Sequence, residues 1–174
     1  QVKSIMLYGP AGVGKTLLVE AVANELGGML IHLTPEKLRG FFPGKNGPLA
    51  LAHLVFKVAM DPAYQPVVVY MDQCETFFAG KKNKDKEGPS RFKKDLQTYL
   101  NILGPEHRVI VIGTTKHPEN GELKDYKTFY NKFLYIPCPG YQSRLLIWKH
   151  YIEERLLAGL ETKDDMAAAA ANGG

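Results

Sequence analysis

Cysteine is scarce in this chain: Cys74 and Cys138 are its only two. Two thiols without a neighbouring ligand pattern make neither a disulfide framework nor a zinc site, and reduced thiols in an intracellular compartment are the expectation. Long apolar runs are lacking too. The longest, such as Val67 to Met71, hold about five residues, against the ~18 that a membrane-spanning helix needs. A strong charge of one sign is also missing. Lys and Arg total 22 against 18 Asp and Glu, for a net charge of +4. This excess does not argue for nucleic acid, so neither a nucleic acid nor a membrane is expected as a partner. The opening residues show no charged-then-apolar leader. Gln1 stands where a Met would, with an apolar strand pattern directly behind it, so a fragment of a longer protein is expected. What remains is a globular profile: 174 residues, 45% apolar and 23% charged, enough for one domain with a real core.

Strand and helix patterns alternate. Val2 to Tyr8 reads as a strand that ends at Gly9-Pro10. Leu18, Val22 and Leu26, spaced by four, predict a helix over 15–26, which Gly27-Gly28 stop. Met29 to Leu33 is a second strand. After a Gly/Pro-rich segment, Pro48 opens a helix with Leu51, Leu54, Val55 and Val58 on one face. Val67 to Met71 is a β-branched run of the kind that lies centrally in a sheet. Ser90 is placed to cap a helix carrying Phe92, Leu96, Tyr99, Leu100 and Leu103. Arg108 to Gly113 and Phe133 to Ile136 complete the strands, and a last helix is expected over 142–157. Trp148, at helical spacing from Leu145 and Ile152, reads as core. The alanine-rich tail, 158–174, has no apolar face and is expected to be frayed. The alternation predicts an α/β fold with a mainly parallel sheet, helices on both faces, and ligands beyond the carboxyl ends of the strands.

Gly9-Pro10-Ala11-Gly12-Val13-Gly14-Lys15-Thr16 matches the phosphate-loop pattern G-x-x-x-x-G-K-[ST], between a strand and an amphipathic helix. Glycines let backbone N–H groups curl around phosphate oxygens, and the helix N-terminus adds partial positive charge. Lys15 is suited to the β- and γ-phosphates and the Thr16 hydroxyl to Mg²⁺. Gly9 to Thr16 with Leu17 are the candidate nucleotide-binding residues. Asp72, at the end of the Val67–Met71 strand, is the candidate second magnesium residue. The alternative readings are a Gly-rich turn that binds nothing and a plain strand-end turn.

The order of phosphate loop, acidic strand and Val109 to Pro118 (VIVIGTTKHP) resembles an AAA-type ATPase module, over about residues 2–157. That resemblance implies a P-loop NTPase three-layer sandwich with a five-stranded sheet, ATP or ADP with Mg²⁺ as cofactors, and 1–157 as the nucleotide-binding subdomain with its lid mostly absent. Pro35-Glu36-Lys37-Leu38-Arg39-Gly40, Lys93-Lys94-Asp95-Leu96 and Ser143 to Lys149 (SRLLIWK) further resemble the IQ motif- and AAA domain-containing proteins. This narrower group includes a subunit of the nexin–dynein regulatory complex of motile cilia and flagella. The implied partners are therefore other subunits of that complex, the doublet microtubule with its tubulin, and the dynein neighbourhood. Calmodulin would bind through an IQ motif outside this sequence. The implied location is the cytoplasm and cytoskeleton, in the axoneme.

The departures from the AAA pattern bear on activity. Gln73 stands where the family places the Glu that polarises water, so no catalytic residue is assigned. Lys116 aligns with the usual sensor Asn, and Phe129 and Lys132 with the arginines that reach a neighbour's site. No Arg occurs between Arg108 and Arg144. A positioned base contributes ~10²–10⁴ in rate and an arginine finger ~10³–10⁵. Binding needs neither. The expectation is a degenerate module that binds ATP or ADP with little or no hydrolysis and acts structurally. The alternative is an active AAA ATPase that remodels a protein or microtubule substrate, with Glu75 standing in as base if the strand ends early.

Two further segments remain open. Gly40-Phe41-Phe42-Pro43-Gly44 is either an aromatic pore loop or a surface loop. The stretch from Lys81 to Lys94, with seven Lys or Arg, is either a docking patch for an acidic surface such as tubulin or a solvated loop. His53 is expected to be packed or half-exposed rather than catalytic.

Overall fold

The computed structural model describes residues 2–38, 47–79 and 89–171, with side chains described as far as residue 156. The Gly40–Gly44 segment and the Lys81–Lys86 part of the lysine-rich stretch lie outside the described residues. The chain divides into two compact units, 1–137 and 138–174.

The first unit is built on five parallel strands: β1 (Ser4–Tyr8), β2 (Met29–Leu33), β3 (Val67–Met71), β4 (Val109–Thr115) and β5 (Lys132–Tyr135). Their spatial order is β2-β3-β4-β1-β5, and every pairing is parallel. The helices are α1 (Lys15–Glu25), α2 (Pro35–Leu38), α3 (Gly47–Ala59), α4 (Lys93–Ile102) and α5 (Leu123–Phe129). The sheet therefore has the α/β, mainly parallel architecture expected from the alternation.

Strand alternation splits the core between the two faces. On β3, Val67, Val69 and Met71 join the larger cluster with Phe56, Phe77, Phe78, Leu96 and Phe129. Val68 and Tyr70 point the other way, to Leu7, Val19, Ala23 and Ile112 under α1. All five residues of β3 are buried, because both faces are covered. Each large side chain so buried contributes about 1.5–3 kcal/mol relative to exposure.

Several helix faces differ from the sequence expectation. α1 buries Lys15, Val19 and Ala23, while Leu18 and Leu26 are exposed. The face that meets the sheet is one residue further round than the leucine spacing suggests, since the phosphate turn fixes how α1 enters. In α3 the buried residues include Leu51, Ala52, Val55 and Phe56, and Leu54 is exposed. α4 does bury Phe92, Leu96, Leu100 and Leu103 on one side. Ser90 does not cap it: the N-cap is Phe92, without a side-chain hydrogen bond, because the 3₁₀ turn Pro89–Phe92 leads directly into the helix.

In the second unit α6 runs Tyr141–Ala171, well past residue 157. Trp148 is 67% exposed and is not core. Among the described residues of its unit, α6 has no second element against which to bury an indole. No described helix is long and apolar enough to cross a membrane.

Candidate functional site

β1 delivers the chain to Gly9, and the turn through Gly14 starts α1. Gly9, Gly12 and Gly14 have φ of 153°, 78° and 88°. Gly9 is the most constrained: a Cβ there would collide with the Ile136 carbonyl oxygen. Gly14 is the left-handed N-cap of α1, with no side-chain cap and no acidic residue in the first turn. The first N–H groups of the helix are thus left for a ligand.

Lys15 is buried, and its Nζ donates to the carbonyls of Gly9 (2.7 Å) and Pro10 (2.6 Å). Burial lowers its pKa below the usual lysine value and the nearby Lys116 adds to this, while Asp72 and Glu75 pull the other way. Two lysines converging on one cleft favour an anion between them.

The opposite rim comes from the ends of β3 and β4. Asp72 Oδ1 accepts from the Gln73 N–H (2.9 Å) and from Thr114 Oγ1 (2.8 Å). The Tyr70 hydroxyl lies 3.0 Å from Thr114 Oγ1 and 3.0 Å from Thr16 Oγ1. Burial raises the Tyr70 pKa above the ordinary phenol value, so the group is protonated at neutral pH. Gln73 takes the left-handed conformation, φ 48° and ψ 49°, and its carbonyl receives the Thr76 N–H and hydroxyl at 3.0 and 2.9 Å.

These elements enclose a cavity of about 340 Å³. Of the residues named from sequence, Gly12, Gly14, Lys15, Thr16, Leu17, Asp72, Gln73 and Lys116 line it. Gly9, Pro10, Ala11 and Val13 do not. Gly9 and Pro10 act from behind by holding Lys15. Thr114 and Thr115 complete the lining. β3 ends at Met71, so Asp72 and Gln73 are the residues at the strand mouth. Glu75 sits in the 3₁₀ turn Cys74–Thr76, buried, and is absent from the lining. Phe129 is 1% exposed and packs at ring-centroid distances of 5.1 Å from Phe78 and 4.9 Å from Tyr130, whereas Lys132 is exposed on β5. His53 is exposed, edge-on to Tyr99. Sequence reasoning missed Tyr70. Its alternation places it under α1, but no sequence motif reports that its hydroxyl meets Thr16.

The donor set fits a nucleotide phosphate with a hard cation. Two lysines and a helix N-terminus suit the anion, and a hydroxyl with a carboxylate suits oxygen-preferring Mg²⁺.

A parallel 2-3-4-1-5 sheet with a glycine-rich turn between its first strand and first helix defines the chain as a P-loop NTPase fold. The profile of the ATPase family associated with various cellular activities (AAA) matches residues 5–125. The chain belongs to the AAA family. It is 39% identical over 158 residues to the Mus musculus dynein regulatory complex protein 11, a match that covers 87% of this chain and 18% of that protein. It is 31% identical over 149 residues to the Homo sapiens outer mitochondrial transmembrane helix translocase, covering 84% of this chain and 40% of that one. The chain thus spans less than half the length of these relatives. Among solved structures, the FIGL-1 AAA domain superposes with a TM-score of 0.69 at 24% identity, over 86% of this chain and 47% of that one. The same domain in complex with ADP gives 0.67. These last similarities establish the fold.

Proposed function

We propose that this chain is a nucleotide-binding module that takes ATP or ADP between Gly9 and Leu17, with Mg²⁺ held by Thr16 and Asp72, and hydrolyses it slowly or not at all. One contrast carries the reading. The phosphate side of the cavity is fully built, while the strand mouth presents Gln73, an amide, where a base would have to stand. An amide orients water but does not take its proton. Phe129 supports the same conclusion, because a phenylalanine in the buried aromatic cluster supplies no charge to a phosphate. When bound, Mg²⁺ would supply charge neutralisation at the phosphates. The chain's own residues bind and orient: Lys15 and Lys116 meet the anion, and the backbone of the glycine turn cradles it.

On this reading the bound nucleotide stabilises a scaffold. Ligand at 100 times its dissociation constant adds about 2.7 kcal/mol. The similarity to a dynein regulatory complex protein supports a structural role in that complex, in the axoneme of cilia or flagella, regulating motility. The partners would be the other subunits, the doublet microtubule and the dynein neighbourhood, with calmodulin recruited through an IQ motif elsewhere in the protein. The second reading, an active remodelling ATPase, is favoured by the similarity to a translocase. Nucleotide binding and phosphate release, measured on the full-length protein with its partners, separate the two. Tight binding with negligible release is expected. Release at ordinary AAA rates, abolished by Lys15→Ala, would overturn the scaffold reading.

A further inference from the structure

From one wall of the cavity to the other, through the buried Tyr70, three hydroxyls form a chain whose direction is decided by proton count. Each hydroxyl has one proton to give, and an ionised carboxylate only accepts. Thr114 Oγ1 therefore donates to Asp72 Oδ1 at 2.8 Å. With that proton committed, Thr114 receives the Tyr70 hydroxyl at 3.0 Å. The Tyr70 proton is then spent, so the 3.0 Å contact with Thr16 runs from Thr16 to Tyr70. Every donation points toward Asp72.

We infer that Tyr70 is a positioning residue that turns the Thr16 hydroxyl into a pure acceptor toward the cavity, ready for a divalent cation beside a nucleotide phosphate. The inference rests on the nucleotide reading above. A hard cation is bound through oxygen lone pairs, and an O–H proton aimed at it would oppose binding. With its proton drawn back to Tyr70, Thr16 offers lone pairs to the cavity that it lines. The same chain acts on the other cation residue. Asp72 Oδ1 is occupied by Thr114 and by the Gln73 N–H at 2.9 Å, which leaves Oδ2 for the cation or its water.

Tyr70 itself is no ligand. It is 0% exposed, absent from the cavity lining, and acts through Thr16. Its ring is held in β3 and stacks on His32, with centroids 4.5 Å apart and planes 24° from parallel. A phenylalanine would fill that space equally well. The hydroxyl is therefore the part that packing does not explain, and its removal isolates the relay.

The test is the affinity for a fluorescent ADP with excess Mg²⁺ and with EDTA, read as the ratio of the two for each protein. The wild type, Tyr70→Phe, Thr114→Val and Thr114→Ser are compared, with thermal unfolding as the check on folding. In Tyr70→Phe and Thr114→Val the magnesium gain is expected to fall about tenfold, the usual effect of removing a partner that orients a metal ligand. Thr114→Ser, which keeps the hydroxyl, restores it. A Tyr70→Phe protein with the wild-type ratio overturns the relay and leaves nucleotide binding standing, even if both affinities drop together. A wild type that binds ADP in neither condition overturns both.

Discussion

The two sides of the cavity are made differently. The α1 side is backbone: the turn from Gly9 to Gly14 and the first N–H groups of the helix, with Lys15 folded onto the carbonyls of Gly9 and Pro10. The strand side is side chains: Asp72, Gln73, Thr114 and Lys116 at the mouths of β3 and β4. A backbone cradle tolerates little change, because it depends on φ values and close approaches that only glycine permits. Side chains at strand ends are replaced without disturbing the sheet. On the proposed reading, the chain retains what the fold itself must supply for binding and departs where single side chains would supply hydrolysis.

The largest test of this contrast is Gly9→Ala. Its Cβ would collide with the Ile136 carbonyl, so the loop or β5 must shift. A loss of about 3 kcal/mol in denaturant unfolding is expected, from backbone strain and overpacking together. Full stability would mean that the cradle is less constrained than its geometry indicates. Next comes Lys15→Ala, which removes a charged donor to the phosphates. Nucleotide affinity by calorimetry should fall by about 10–100-fold, the worth of about 1.5–3 kcal/mol for charge-assisted hydrogen bonds. Gln73→Glu probes the other side. With Lys116 and Phe129 unchanged, phosphate release should rise by no more than about tenfold, short of the ~10²–10⁴ that a base contributes in a complete site. A thousandfold gain would show that one side chain alone had silenced the module.

The smallest effect concerns the two thiols. Cys74 is buried beneath the strand mouth, and burial pushes its pKa up to about 12, whereas Cys138 is exposed. Alkylation of the folded protein at pH 8 should label Cys138 and spare Cys74 until denaturant is added. The sign of the linked stability follows. The folded thiol holds its proton where the unfolded one, near 9.0, releases it. Its contribution is complete below about pH 9 and is lost as pH rises from there toward about 12. Unfolding midpoints recorded across that window should fall, and less steeply in Cys74→Ala.

Much of the fold was legible because its signals are local. β2 and β3 have the bounds that their apolar runs predict, and the phosphate turn sits between the strand and helix expected of it. Helix faces were less legible. Leu18, Leu26 and Leu54 have the spacing of a buried stripe yet are exposed, since the buried face depends on how the preceding turn aims each helix. Trp148 misled for a related reason: apolar character reports a capacity for burial, and burial needs a second element.

By itself the sequence determined the five strands in chain order, the parallel sheet and the glycine turn that make this an AAA module, because periodicity and backbone permissiveness are properties of neighbouring residues. It also determined the missing carboxylate, since Gln73 follows Asp72 whatever the fold. Only the tertiary structure decided that Phe129 is core, that Glu75 stays out of the cavity, and that Tyr70 joins Thr16 to Thr114 and Asp72. Those relations span α1, β3 and β4, which are distant in sequence. Hydrogen bonds act over about 3 Å, so their partners are chosen by the packing of the sheet.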